Sequence, residues 1–448
     1  MIQAFRRSPY DREILRIGIP ALGALAADPL VSLVDTAFIG RLGAVALASV
    51  AIASAIFAAV FAVFNFLEYA VTPLVAQSIG AGDRAEAGRF TVTALAVSAV
   101  GGVVAGAGLI IFSDPLLRAF GAGADVVESA GTYLRIRALG VPALLVILVG
   151  HGAFRGYQDT RTPLIVTLGL NAVNLILDPL LIFGFGWGIA GAAWATVVAQ
   201  WFGAVWFAAL FFWIRRTEMA IGFGRLRRTA LFSLAGAARA LILRNAALLA
   251  ALTAATVVAA RIGTASVAAH QIAMQLWLFM ALVIDAFAIA GQAIVGKERG
   301  AGDRRVARAV SNRLLALGFS FGVLLAVGLL AISPWLGSWF TSDGAVVVAF
   351  ASILPLLIVM QPINGLVFVW DGVAIGAAAF PVLAWSTLLA SVVTVGVLLA
   401  VIPMGWGLVG VWAAIVVLML VRATTLWWWY GFRFAVPGQD PSPWSQGA

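Results

Sequence analysis

Asp28, Asp35, Asn171, Asn174 and Asp178 are acids and amides set in stretches whose other side chains are almost all apolar, "DPLVSLVDTAFIG" and "NAVNLILDP". A carboxylate in such surroundings takes a proton, holds a cation or pairs with a buried base. Asp28 and Asp35 are seven residues apart, close to two helical turns, and Asn171, Asn174 and Asp178 stand at i, i+3 and i+7. On helices each set forms one stripe. Neither stretch carries a base at that depth, so two acids brought together need a proton, a metal cation or a cationic partner from elsewhere. Arg135 and Arg137 of "GTYLRIRALG" are the candidates for that partner, although Arg135 has two other choices, a pair with Glu128 or snorkelling outward. Pro29 and Pro179 follow two of the acids. Each frees the carbonyl one turn earlier, at Leu25 and Leu175, which either adds a cation ligand or makes a plain kink.

The elements that must position these groups are membrane helices. With 448 residues, 63% hydrophobic and 10% charged side chains and a mean hydropathy of +1.05, the chain is too apolar for an ordinary soluble domain. The fold class expected is all-α integral membrane, with twelve spans at 14–38, 45–79, 90–112, 126–150, 162–186, 190–214, 239–260, 265–296, 310–333, 346–370, 380–402 and 406–430. If both termini face inward, the inner segments hold roughly 23 of the 28 Lys/Arg, and the outer loops only Arg41, Arg118 and Arg261. This skew, together with a polar, basic start "MIQAFRRSPYDREILRI" that lacks the pattern of a secretory leader, predicts cytoplasmic termini in a bacterial inner (plasma) membrane. The net charge of +9 therefore reflects orientation in the lipid bilayer, and no nucleic-acid partner is expected. The absence of cysteine excludes disulfides and thiolate chemistry.

The halves repeat. "GAGDR" stands at 80–84 and 300–304, "RLG" at 41–43 answers "RIG" at 261–263, and "GWGIAGAAWA" at 186–195 is echoed by "GWGLVGVWAA" at 405–414. Six spans per half predict a parallel repeat: two six-helix bundles related by a pseudo-twofold axis along the membrane normal, with lobes at 1–214 and 239–448 and a basic cytoplasmic linker at 215–238. Such a duplication is the geometry of a transporter, although it also serves as a mere scaffold. On the repeat offset Asp35 falls opposite Ala255 and Asp178 opposite "VGVLLA", so the acidic site belongs to the first half alone. A coupling-ion site predicts that asymmetry, and a structural role common to both halves does not. Glu68 and Asp285 read as gate or cleft residues or as packing polarity, and Asp371 of "VWDGVAIG" as interfacial, opposite Arg155. His270 reads as a hydrogen-bonded structural histidine, and "WWWY" at 427–430 with Arg433 as an aromatic interface anchor.

With "DPLVSLVDTAFIGRLG", "FRGYQDTRTP", "NAVNLILDPLLIFG", "GIAGAAWATV", the paired "GAGDR" loops and "VWDGVAIG" in view, the chain resembles the multidrug and toxic compound extrusion (MATE) family, most closely its DinF-type branch. The resemblance spans nearly the whole chain and implies a MATE-like fold of two lobes that exports substrate in exchange for H⁺ or Na⁺. It also implies a first-lobe cation site at Asp35, Asn174, Asp178 and Thr196, with Tyr133 nearby; those four would be the metal ligands if Na⁺ couples. Thr196 and Tyr133 come from the resemblance alone. Other branches carry further acids in the second lobe, which this chain lacks opposite its first-lobe pair, and the part of Asp28 is the least defined.

The function expected is that of a secondary antiporter, not an enzyme. It exports an organic small molecule, cationic or amphipathic, as a monomer with no cofactor, using H⁺ or Na⁺ as coupling ion and bending the first helix near Pro20 or Pro29. The alternative is a lipid or lipid-linked oligosaccharide flippase on a similar two-lobe scaffold, which calls for a basic cleft where this sequence is mainly acidic. No adjacent aspartate pair of the kind an intramembrane prenyl transferase needs occurs within the spans.

Overall fold

The structure, a computed structural model, describes residues 8–222 and 228–434. The start of the chain up to residue 7 and the middle of the expected linker, 223–227, lie outside the described residues. Every regular element among those described is helical: α1 (Asp11–Gly40), α2 (Ala44–Phe64), α3 (Phe66–Gly80), α4 (Arg84–Ile111), α5 (Ser113–Ala119), α6 (Ala124–Ala138), α7 (Val141–Gly156), α8 (Arg161–Pro179), α9 (Gly188–Ala209), α10 (Arg228–Ile262), α11 (Thr264–Gly300), α12 (Arg304–Phe340), α13 (Gly344–Val359), α14 (Gln361–Gly376), α15 (Phe380–Val401) and α16 (Gly407–Trp429). Ten spans are long and apolar enough to cross a membrane as they stand, and two bent pairs, α6 with α7 and α13 with α14, bring the number to twelve.

Those two pairs correct the sequence reading, which drew 126–150 and 346–370 as single helices. The first bends by 49° and the second by 53°, and their inner halves run on to Gly156 and Gly376. In both a proline, Pro142 or Pro362, sits in the first turn of the second helix, where it cannot donate to the ladder and clashes with the preceding turn. A second difference concerns the linker. Residues 228–238 are the first three turns of α10, not loop. The "GAGDR" loops are matching helix starts: Gly82 and Gly302 adopt φ of 78° and 76°. The aspartate that follows caps the next helix, Asp83 on the Glu86 amide (2.8 Å) and Asp303 on the Val306 amide (2.9 Å).

The chain divides into two compact units, one of Ile19–Ala238 and one of Arg239–Ala448 with Met1–Gly18, over the described residues. Within the first, α7 packs against α3 and α4, and α8 against α9; within the second, α14 packs against α11 and α12, and α15 against α16. The repeat is therefore structural, with Thr264–Gly300 matching Ala44–Gly80 at a constant offset of 220. Close approaches repeat as well. A Cβ on Gly102 would meet the Pro142 backbone, and a Cβ on Gly322, 220 positions on, would meet the backbone of Gln361 and Pro362. At both bends a passing helix needs a residue without a side chain. Gly322→Val is expected to lower stability by about 1–3 kcal/mol through overpacking, whereas Gly328→Val on the same helix, where nothing lies within 4 Å, should change it by less than about 0.5 kcal/mol. Thermal unfolding of the two variants in one detergent checks the contrast.

Candidate functional site

The site is built on α1 and α8, which run side by side in parallel. Asn171 Nδ2 donates to Asp28 Oδ1 at 3.0 Å, 143 positions apart, and the Asp35 and Asp178 carboxyls meet at the same separation in sequence. Two rungs seven residues apart on each helix thus pair in register, as the two stripes required. Further contacts extend the alignment at both ends: Gly23 lies against Leu164, and the Phe38 ring meets the Phe183 ring edge-on at 6.2 Å. Both prolines of the first stripe, Pro20 and Pro29, lie inside an unbroken α1. Pro179 instead ends α8, and a π-helical turn, Leu180–Gly184, follows it directly after Asp178.

Asp178 is 1% exposed and Asn174 3%, Asp35 is half-buried and Asp28 exposed. Neither oxygen of Asp178 receives a hydrogen bond from another protein group when both acids are ionised; nor does Asp35 Oδ1, and the Asn174 amide nitrogen has no acceptor. One shared proton turns the two carboxyls into a hydrogen-bonded pair, and a small cation would satisfy the same oxygens. Tyr133 and Arg137, one turn apart on α6, complete the surroundings. The phenol lies within electrostatic range of Arg137 and of both acids, and the guanidinium within range of both acids.

Arg137 nonetheless spends its hydrogen bonds elsewhere. Nη1 donates to Gln200 Oε1 of α9 (3.1 Å), and the guanidinium lies over the Phe57 ring of α2 at 4.7 Å. No ion pair joins it to Asp35 or Asp178 among the described residues. Arg135 pairs with Asp114 (2.6 Å) and donates to Ser113, so neither the first-lobe acids nor Glu128 holds it. Gln200 and Phe57 had no signal in the sequence, because contacts across 63 positions follow from the packing of α6 against α9 and α2. Thr196, on α9, is half-buried, and its hydroxyl donates back to the Ala192 carbonyl (3.0 Å), which leaves its oxygen lone pairs available.

The remaining acids are engaged in ion pairs or charge clusters. Glu68 of α3 forms a buried ion pair with Arg155 of α7, with Asp28 in electrostatic range. Asp371 stands on α14. It is 4% exposed and is held through one oxygen by Arg422 of α16 and Arg244 of α10, with Asp285 in the electrostatic range of Arg422. His270 is the structural histidine expected, bonded to the Thr256 hydroxyl at 3.1 Å and packed on Trp412.

At the α7–α8 connection, Asp159 accepts from the amides of Arg161 and Thr162 (both 3.0 Å) and from the Thr162 hydroxyl (2.6 Å), and pairs with Arg215 at 2.7 Å. Burial pushes this carboxyl up, but the Thr162 and Arg215 contacts outweigh it and hold it below the ordinary aspartate value. Its stabilising contribution is present above the unfolded pKa of about 3.9 and is lost as pH falls through the lower folded value. Asp159→Ala is expected to cost about 0.5–2 kcal/mol at neutral pH, with a difference from wild type that shrinks in acid; denaturation at neutral and low pH measures both.

The chain matches the MatE family over residues 20–180 and 240–402. It is 34% identical to Protein DETOXIFICATION 43 of Arabidopsis thaliana over 94% of this chain and 90% of that protein. Against DNA damage-inducible protein F of Escherichia coli (strain K12) it is 32% identical, covering 70% of this chain and 71% of the relative. The solved structure of a MOP superfamily transporter from Pyrococcus furiosus Vc1 (DSM3638) superposes with a TM-score of 0.88 at 23% identity, covering 97% of this chain and 98% of that one.

Proposed function

Because the chain belongs to the MatE family of membrane transporters, we propose that it is an antiporter that exports organic compounds, cationic or amphipathic, in exchange for H⁺ or Na⁺ taken up at Asp35 and Asp178. The observation that carries this reading is the rung between those two acids: carboxyls from separate helices in contact, with three buried oxygens that no other protein group satisfies when both acids are ionised. Two ionised carboxylates so placed repel, and a proton or a cation between them removes the repulsion. Occupancy of the rung therefore decides whether α1 stays in register with α8. Loaded, the rung clamps the two helices together and lowers the negative charge open to a cationic substrate. Empty, it parts them, and Pro20 and Pro29 supply the places where α1 yields.

In this reading Asn174 and Thr196 contribute oxygens to a Na⁺ ion if that is the coupling ion, Asn171 holds Asp28 in the second rung, and Tyr133 lies in the field of Arg137 and both acids. Arg137 tempers the field of the acids without neutralising them, since its hydrogen bond goes to Gln200. Coupling runs through the first unit alone, because α15, the repeat counterpart of α8, carries no acid. Both termini face the cytoplasm, as the arginine skew requires. A small-molecule substrate and the lipid bilayer are its partners, and one chain suffices.

Flux of a fluorescent organic cation in proteoliposomes, with pH and Na⁺ gradients imposed independently, tests the proposal. Transport that rises with an opposing gradient of one of the two ions is expected. A flux indifferent to both would leave the carboxylate pair without a coupling role.

A further inference from the structure

The second unit holds a groove between α15 and α16 that the transport reading does not use. Its volume is about 510 Å³, within the range of pockets that take small ligands, about 300–1,000 Å³. Trp385 and Leu389 of α15 form one wall and Trp428 of α16 the other, with Thr425 at the base and Pro381 and Arg433 at one end. The walls are open to the surroundings: Trp385 is 67% exposed, Leu389 50% and Trp428 51%. Such apolar exposure is unremarkable only where lipid covers it. The base is dry in the sense that its hydroxyls are spoken for, since Ser386 and Thr425 bond each other at 2.6 Å and Thr425 also donates to Val421. A hydrocarbon chain is thus better suited to the groove than a polar molecule.

The end at Pro381 and Arg433 has the opposite character. The guanidinium of Arg433 lies over the Trp428 ring at 5.6 Å, which keeps it at the mouth of the groove. The first turn of the 22-residue α15 begins there, with Pro381 and Val382 in the lining, so the positive end of that helix faces the same spot. Arg433 belongs to the π-helical turn Tyr430–Phe434, and two more guanidiniums flank that turn: Arg308 lies over the Tyr430 ring at 5.9 Å and Arg299 over the Phe434 ring at 5.4 Å. No acidic side chain lines the groove. An apolar channel that ends in Arg433 and a helix N-terminus matches an acyl chain that ends in a phosphate.

We infer that this groove binds one anionic phospholipid of the surrounding membrane, its phosphate on Arg433 and an acyl chain along Trp385 and Leu389. The interface-anchor reading of "WWWY" with Arg433 then becomes specific. Trp428 serves both as a wall for the chain and as the platform that presents the charge.

The test uses the full chain reconstituted in vesicles of equimolar phosphatidylglycerol and phosphatidylcholine, extracted in mild detergent and weighed by native mass spectrometry. One retained phosphatidylglycerol per chain is expected, in preference to phosphatidylcholine. Arg433→Gln should cut that retention about fivefold, Arg433→Lys should restore most of it, and Trp385→Ala should lower retention of both lipids. The lysine variant separates lost charge from lost folding. Equal retention of the two lipids, or undiminished phosphatidylglycerol on Arg433→Gln, overturns the inference. So does a gain in bound lipid when residues 435–448 are deleted, which would make the chain's own end the occupant. A dimer that Trp385→Ala dissociates would put a second copy there instead, and equally overturns it.

Discussion

Asp178→Asn is expected to cut ion-driven export steeply while the protein still folds. The asparagine keeps the shape of the rung with Asp35 but cannot be charged, so the gradient loses the difference on which it acts. Coupling free energies between sites are typically about 1–3 kcal/mol, so the gradient-dependent part of transport should fall by about 5–150-fold. Stability should hold or rise, because the change removes one of two like charges from an apolar bundle. Gradient-driven flux measured beside thermal unfolding separates these effects. A variant that keeps full coupling would remove Asp178 from the motor, and one that simply unfolds would make the acid a structural residue. Asp35→Asn should behave alike in flux, since it is the other half of the same rung.

The largest stability effect is expected at Arg155→Met. The Arg155 side chain is 3% exposed and its partner Glu68 12%, and removal of one member of a buried ion pair leaves the other charge uncompensated, at a cost of about 3–5 kcal/mol. Here Asp28 aggravates the loss, because it lies in electrostatic range of Glu68 with the same sign. The double variant Arg155→Met with Glu68→Leu should recover most of the stability, since well-packed apolar side chains replace such a pair at little or no cost. Unfolding temperatures of the two variants and of Glu68→Leu alone complete a cycle. If the double variant is no better than Arg155→Met, the pair holds α3 to α7 by more than charge compensation.

Much of the site was legible because helical periodicity is local. Seven-residue spacing in "DPLVSLVD" and in "NAVNLILD" fixes which side chains share a face, and two faces carrying acids in apolar surroundings have few places to go. Arg137 illustrates the limit. Its position on α6 made it a partner for the acids, but whether it reaches them depends on Gln200 and Phe57, which no spacing within α6 reveals. Asp371 shows the same limit, since its partners Arg244 and Arg422 stand on helices 127 positions before and 51 after it. The bends after Ala138 and Val359 were available in Pro142 and Pro362, but hydropathy averages over a window and passes through a proline without registering it. The twelve spans and the duplication needed only length, composition and repetition, and these survive such averaging.

The lengths of α11 and α12 bear on the kind of membrane that suits the molecule. At 37 residues each they extend about 55 Å, well beyond a hydrocarbon layer of about 30 Å. The surplus turns carry Lys297 and Arg299 at the end of one helix and Arg304, Arg305 and Arg308 at the start of the next, groups that tolerate water and headgroups alike. A thicker or thinner bilayer therefore shifts the boundary along these overhangs without stripping lipid from apolar side chains, and hydrophobic mismatch acts on the shorter α15 instead.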